Sequence, residues 1–244
     1  MFDHVTIRVS DRAASEYFYT KVLGVLGIEQ TYRDEHFVEW DDFSLAPATD
    51  DHPATRRLHI AFVAPDHSRI EKFWRAGTDA GYEDDGGPGP RPQYREDYYG
   101  AFLLDPDGNN VEAVHHGAMR PRGVDHLWIR VADVDEAARF YELVASHAGF
   151  RRGRGAPDRA QFVGAEQGSF SLVAGLATER VHLAFAAHEN AVVDAFHAAL
   201  VGAGYRDNGA PGERPIYHPG YYGAFVLDPD GNNVEVVSHN RKAS

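Results

Sequence analysis

Nine residues, Leu-Asp-Pro-Asp-Gly-Asn-Asn-Val-Glu, occur twice in the chain, at Leu104–Glu112 and again at Leu227–Glu235. An identical stretch recurring 123 positions apart demands a fold that is itself built twice, because the period is far too long for a solenoid. The duplication reaches well beyond the nine residues. FDHVTIRVSDRAASEYFY matches VDHLWIRVADVDEAARFY at an offset of 122. RLHIAFVAPD and GYEDDGGPGPRPQYREDYYGAF match RVHLAFAAHE and GYRDNGAPGERPIYHPGYYGAF at an offset of 123, so the second copy has gained one residue between its first and middle strands. The copies run roughly over Phe2–His116 and Val124–His239, and the Gly-, Pro- and Arg-containing piece Gly117–Gly123 reads as an exposed connection. Two domains, residues 1–117 and 124–240, are expected.

Each copy is also double inside, reading strand, helix, several strands, then the same again. HVTIRV alternates, with His4, Thr6 and Arg8 on one face and Val5, Ile7 and Val9 on the other. Ser10 or Asp11 can cap a helix carrying Tyr17, Phe18, Val22, Leu23 and Leu26. EQTYRD, HFVEW, FSLA and LHIAFV read as strands. Asp66 or Ser68 can cap a second helix with Ile70, Phe73, Trp74 and Ala80 inward, ending at Gly81. A Gly/Pro-rich loop and a hairpin of YYGAFLL with NNVEAVHH complete the copy. Phe140 and Phe196 fall at helical spacing in the second copy and belong to its core, and the run Arg151–Gly155 reads as a solvated loop. The class is α+β with mixed sheets.

The formal net charge of −13 argues against nucleic acid and anionic membranes as partners, since both need a basic footprint. Without cysteine, thiolate chemistry and disulfides are excluded for this chain. The start, MFDHVTIRVS, lacks the basic and apolar regions of a signal peptide, and no run approaches eighteen apolar residues, so a cytoplasmic protein is expected.

Asp-Pro-Asp-Gly is strong turn chemistry and accounts for the first part of the nonapeptide. It leaves unexplained Glu112 and Glu235, which follow in apolar strands. His4 and His126 lie early in the first strand of each copy, and His59 and His182 among apolar residues of a later strand. One such histidine is more often a satisfied core residue than a ligand. Two histidines and a glutamate recurring at matching places are the donor set of Fe(II), Mn(II), Zn(II) or Ni(II), with coordination positions left open as catalytic sites require.

The segments DHVTIRV…LHIAFV…YYGAFLLDPDGNNVEAV and DHLWIRV…VHLAFA…YYGAFVLDPDGNNVEVV resemble the vicinal oxygen chelate superfamily: glyoxalase I, extradiol dioxygenases, and fosfomycin and bleomycin resistance proteins. The resemblance covers both copies. It implies paired βαβββ modules, duplicated, whose curved sheets close around a divalent metal. It implies His4, His59 and Glu112 as one ligand set and His126, His182 and Glu235 as another, or, if modules exchange, His4 with His182 and Glu235 and His126 with His59 and Glu112. A small-molecule substrate, a chain that is monomeric or homodimeric, and either a metal-dependent enzyme of dioxygenase or lyase/isomerase type or a drug-sequestering binder follow from it.

The subfamily patterns agree in part. Glyoxalase I resembles this chain but carries a further glutamate in the strand that here reads FSLAPA or FSLVAG, neither of them acidic. The fosfomycin resistance proteins share the ligand set, but no distinctive fosfomycin loop is found. The extradiol pattern places a histidine, then a tyrosine, before the turn. His218 takes the first position and is the acid/base candidate, but Phe225 takes the second; in the first copy these are Arg95 and Phe102. Tyr98, Tyr99, Tyr221 and Tyr222 lie just upstream, with Tyr222 the candidate to supply the missing hydroxyl and Tyr99 a candidate substrate contact. Arg8 and Arg130 follow the first histidines by four residues, roughly 13 Å along a strand at about 3.3 Å per residue, as an anion clamp or, more commonly, a structural ion pair. Arg91-Pro92-x-Tyr94 and Arg214-Pro215-x-Tyr217 form either a lid with substrate contacts through Tyr94 and Tyr217 or a packed loop. His115, His116 and His239 are expected at the rim, or else in support of the ligands.

Overall fold

A computed structural model of the protein describes residues 1–117, 123–165 and 168–240. Residues 118–122 of the expected connection lie outside the described residues. The architecture is α+β, with two eight-stranded sheets and four helices among the described residues. The chain divides into two compact units, Thr6–Ile129 and Met1–Val5 with Arg130–Ser244. It passes from one to the other inside β1 (Phe2–Val9) and inside β9 (Val124–Val131).

The continuous unit contains α1 (Arg12–Gly24), β2 (Tyr32–Arg33), β3 (Val38–Trp40), β4 (Phe43–Pro47), β5 (Leu58–Val63), α2 (His67–Thr78), β6 (Asp84–Pro90), β7 (Tyr99–Leu104) and β8 (Asn110–His115). Its strands run in the orders β6-β7-β8-β5-β9 and β2-β3-β4-β1. Asp11 caps α1 by accepting from the Ala14 amide, and Asp66 caps α2 by accepting from Arg69. Phe18, Tyr19, Val22, Leu23 and Leu26 are buried and meet Trp40, Phe43 and Phe62 in an aromatic core, with Tyr19 and Phe43 ring centres 4.8 Å apart. Tyr17, by contrast, is 58% exposed. Ile70 and Phe73 face inward from α2, whereas Trp74 is half-buried and donates its indole N–H to Asp84. Ala80 was expected inward but is exposed, because the helix stops at Thr78 and the turn into Gly81 (φ 86°) takes Ala80 off the helical face.

The second unit contains α3 (Val134–Ala148), β10 (Phe150–Ala156), β11 (Arg159–Gly164), β12 (Ser169–Ala174), β13 (His182–Ala186), α4 (Asn190–Gly202), β14 (Asp207–Glu213), β15 (Tyr222–Leu227) and β16 (Asn233–Ser238). Its strand orders are β14-β15-β16-β13-β1 and β10-β11-β12-β9. Phe140 and Phe196 are fully buried, and Phe2, Tyr141, Phe150, Phe162, Phe170 and Phe185 form its ring cluster.

Two expected loops are strands. Asp84–Pro90 pairs antiparallel with β7 and Asp207–Glu213 with β15. Both stand last in their strand orders, where prolines interrupt no second ladder, and both pairings shift register at glycines. A Cβ on Gly86 would lie 2.8 Å from the Phe102 ring, so the missing side chain lets the strand close over it. Arg151–Gly155 also lies in a strand, β10, although most of its residues are exposed as anticipated. β10 is likewise terminal in its order, so one ladder suffices to hold a glycine-containing, arginine-rich segment extended.

Candidate metal centres

In the continuous unit, β5 lies between β8, parallel to it, and β9, antiparallel. Ala61 is in register with both Glu112 and His126, and His59 lies two residues earlier on the same face of β5. The small Ala61 side chain leaves the space into which the three larger side chains converge. His59 Nε2 lies 3.3 Å from His126 Nε2 and 3.2 Å from Glu112 Oε2, and His126 Nε2 lies 3.5 Å from the same oxygen. The other unit brings together His4, His182 and Glu235. The two Nε2 atoms are 3.1 Å apart and lie 3.7 and 3.1 Å from Glu235 Oε2. Each unit thus holds a complete set, with the histidine of β1 joining β13 and β16, and that of β9 joining β5 and β8. Of the two assemblies the sequence left open, this is the exchanged one.

The spacing suits a cation. Ligands at about 2.1 Å from a metal are separated by roughly 3.0–3.4 Å for right-angled to tetrahedral arrangements, the range of most of these distances. The remaining atoms of each side chain are committed elsewhere. His4 Nδ1 bonds Asp3 Oδ1 at 2.9 Å and His126 Nδ1 bonds Asp125 Oδ2 at 2.8 Å. Asn110 and Asn233, the second asparagines of the nonapeptide, contact Nδ1 of His59 and His182. Glu112 and Glu235, each only 1% exposed, use Oε1 to accept from the Tyr98 and Tyr221 hydroxyls at 2.7 and 2.6 Å. A Cβ on Gly100 or Gly223 would lie 2.5 Å from that Oε1, so both positions leave the glutamates their seats. Three donors per unit, each turned inward by a partner on its far side, fit a divalent ion.

The nonapeptide now has a function beyond its turn. Asp105 accepts from the backbone of Asp107 and Asn109 and from the Tyr19 hydroxyl. The fully buried Asn109 accepts from the Leu58 amide at the start of β5, fixing the strand that carries His59. Asp228, Tyr141, Asn232 and Val181 repeat the arrangement.

Burial raises the Asp3 carboxyl, but hydrogen bonds from His239 and His4 and their charges outweigh it and hold it well below the usual carboxylate range. Asp125 behaves likewise between His116 and His126. Burial, followed by the adjacent glutamate, pushes the Tyr98 and Tyr221 hydroxyls far above the usual phenol range, so both remain donors.

His239 is more than a rim residue, since Nε2 bonds Asp3 at 2.8 Å and Nδ1 meets His218 Nε2 at 2.8 Å. His218 therefore connects to His4 through His239 and Asp3. In the continuous unit His116 bonds Asp125 at 3.1 Å, while Arg95, at the position of His218, pairs with Asp97. His115 turns to the Ala64 carbonyl. Tyr222 gives its hydroxyl to Asp194 on α4, and Tyr99 stacks on His67, so neither is brought to a ligand set. Tyr94, 44% exposed, packs edge-on against Tyr98 and Trp128, and Tyr217, 49% exposed, lies tilted against Tyr221 with ring centres 4.8 Å apart. Arg8 donates to the Pro47 carbonyl, and the exposed Arg130 packs along Gly175. Phe102 and Phe225 lie beside the middle histidines, with ring centres 6.1 and 6.2 Å away. Asp3, Asp125, Asn110 and Asn233 escaped sequence reasoning, although the repeated Asp-His pair and the repeated asparagine were the available signals.

The fold is shared with solved structures. A variant of glyoxalase I from Zea mays superposes with a TM-score of 0.70 at 20% identity, covering 98% of this chain and 92% of that one. The unmodified Zea mays enzyme gives 0.65 at 20% identity over the same shares. A candidate dioxygenase from Bacillus subtilis subsp. subtilis strain 168 gives 0.66 at 14% identity, covering 98% and 85%. No curated protein matches the sequence. The family model of the Glyoxalase/Bleomycin resistance protein/Dioxygenase superfamily matches residues 1–113 and again 123–236. With both copies matched, the chain belongs to the Glyoxalase/Bleomycin resistance protein/Dioxygenase superfamily.

Proposed function

We propose that the protein is a divalent-metal-dependent enzyme acting on a small organic substrate that offers two adjacent oxygens to the metal. Its reaction is of dioxygenase or lyase/isomerase type. The observation that carries this reading is the presence, in each unit, of two imidazole nitrogens and one buried carboxylate oxygen converging within 4.8 Å of one another. His59, His126 and Glu112 would hold one ion, and His4, His182 and Glu235 the other. Fe(II), Mn(II), Zn(II) and Ni(II) all suit this set. The bound ion would supply Lewis-acid polarisation of the substrate oxygens and, with Fe(II), access to O₂ chemistry.

The chain's own residues do the rest. Asp3 and Asp125 keep a hydrogen on Nδ1 of their histidines, leaving Nε2 basic. Tyr98 and Tyr221 hold the glutamates in place. The exposed rings of Tyr94 and Tyr217 stand next to those tyrosines, and this position supports a role for them as substrate contacts. His218 remains the acid/base candidate at the His4 set, and its bond to His239, which bonds Asp3, supports that role by linking it to His4.

Metal content by mass spectrometry, on protein purified without affinity tag or chelator, tests the reading. One ion per set is expected, with His59→Ala and His182→Ala each losing one. No uptake of any of the four metals would refute the enzyme reading and favour a metal-free sequestering binder.

A further inference from the structure

The two ligand sets match residue for residue, yet the hydrogen-bond chain behind the middle histidine differs. In the continuous unit, Asn110 Nδ2 donates to Asp85 Oδ2, and Asn110 Oδ1 faces His59 Nδ1. In the other, Asn208 occupies the position of Asp85; its Nδ2 donates to Asn233 Oδ1 at 3.0 Å, and Asn233 Nδ2 faces His182 Nδ1 at 2.7 Å. The amide that touches the histidine is thus turned opposite ways in the two units.

The cause is elementary. An ionised carboxylate only accepts hydrogen bonds, whereas an amide both donates and accepts. Beside Asp85, Asn110 must turn its NH₂ outward and its oxygen toward His59. That oxygen requires a hydrogen on Nδ1 and leaves the Nε2 lone pair directed at Glu112 and His126. Beside Asn208, Asn233 has two orientations. In the one observed its N–H points at His182 Nδ1, which must then accept. With Nδ1 accepting, a neutral ring carries its hydrogen on Nε2, the candidate ligand atom, within reach of Glu235 Oε2 and His4 Nε2, each 3.1 Å away. For that nitrogen to bind a cation, the hydrogen must move to Nδ1 by exchange with water and both amides must turn over.

We infer that Asp85 is a positioning residue that presets His59 for metal, that Asn208 leaves His182 unset, and that the two sites therefore bind metal unequally, the His59–Glu112–His126 site more tightly. The affinity part rests on the metal-dependent reading above; the hydrogen-bond part does not. Asp85 and Asn208 are both exposed strand residues, so exchanging them leaves the cores intact.

The test is the reciprocal exchange, Asp85→Asn and Asn208→Asp, in the full chain. In metal-free protein, ¹⁵N NMR of the imidazoles reads whether each Nδ1 carries a hydrogen. The expected result is a protonated Nδ1 on His59 and an unprotonated one on His182, with each exchange converting its own histidine. Zn(II) titration should resolve two affinities, Asn208→Asp raising the weaker by about tenfold or more and Asp85→Asn lowering the stronger by a similar factor. Nδ1 states that ignore both exchanges would overturn the inference. Equal Zn(II) affinities, with His59→Ala and His182→Ala each removing one of two identical sites, would overturn its affinity part. A wild-type protein that takes up no Zn(II), Fe(II), Mn(II) or Ni(II) would refute the proposed function, while the NMR still judged the role of Asp85 separately.

Discussion

Adjacent asparagines in the nonapeptide should fail in different ways. Asn109 is fully buried; its Oδ1 accepts from the Leu58 amide at 3.1 Å, and its Nδ2 donates to the Thr55 carbonyl at 3.3 Å and to Asp105 Oδ2 at 3.1 Å. Asn109→Ala removes these bonds and leaves the Leu58 N–H and the Thr55 C=O buried without this partner. At about 1–3 kcal/mol for each of the two groups that lose this partner, the loss is about 2–6 kcal/mol, a large share of the roughly 5–15 kcal/mol that holds a domain folded. For a unit of this size that corresponds to a Tm lower by about 8–24 °C. Asn110, next in sequence, is half-buried and serves His59 and Asp85. Asn110→Ala should change stability by roughly 0.5 kcal/mol or less, as surface changes do, but weaken metal binding at that site about 10–100-fold. Calorimetric unfolding of chelated protein and Zn(II) titration, run on both variants, separate the two effects. If Asn109→Ala unfolds with the wild type, or if Asn110→Ala loses as much stability as Asn109→Ala with full affinity, this division of labour is wrong.

Three further outcomes are expected. Tyr221→Phe and, more severely, Gly223→Ala should cut metal affinity at the Glu235 site by about tenfold or more while sparing the Glu112 site, because the first removes the bond to Oε1 and the second puts a methyl 2.5 Å from it; equal losses at both sites in a metal titration would contradict this. Burial, opposed by hydrogen bonds from Asn232 and Tyr141, pushes the Asp228 carboxyl up to about 6. The folded chain then holds a proton that the unfolded chain releases near pH 4, so this group's contribution to stability falls as pH rises from about 4 to 6; a ¹³C carboxyl titration with a midpoint at or below 4 would refute it. Finally, chelation should lower thermal stability relative to protein held at about 100 times the metal Kd, by roughly 2.7 kcal/mol per site, and a melting curve indifferent to metal would contradict that.

The duplication, the strand–helix order and all six converging side chains were legible because they rest on exact repetition and on period-two patterning. Which first-strand histidine joins which pair was not, since spacing along the chain carries no information about where a strand pairs. β6 and β14 were hidden because glycine and proline forbid most strands but are tolerated at positions with a single ladder. Tyr222 was favoured over Tyr221 from its place in a pattern; strand alternation decides instead that neighbouring hydroxyls go to opposite sides, one to Glu235 and the other to Asp194. The supporting asparagines were absorbed into the turn, whose chemistry explained them too easily.

That the unit boundaries fall inside β1 and β9 bears on biosynthesis. His59, Glu112 and His126 all lie in one unbroken stretch, Thr6–Ile129, so this ligand set is complete in sequence soon after residue 129 leaves the ribosome. The set of His4 waits for Glu235. If the sets hold metal as proposed, a growing chain would capture its first ion while the second unit is still being translated, and a split between the two sequence copies would divide both candidate sets rather than separate them.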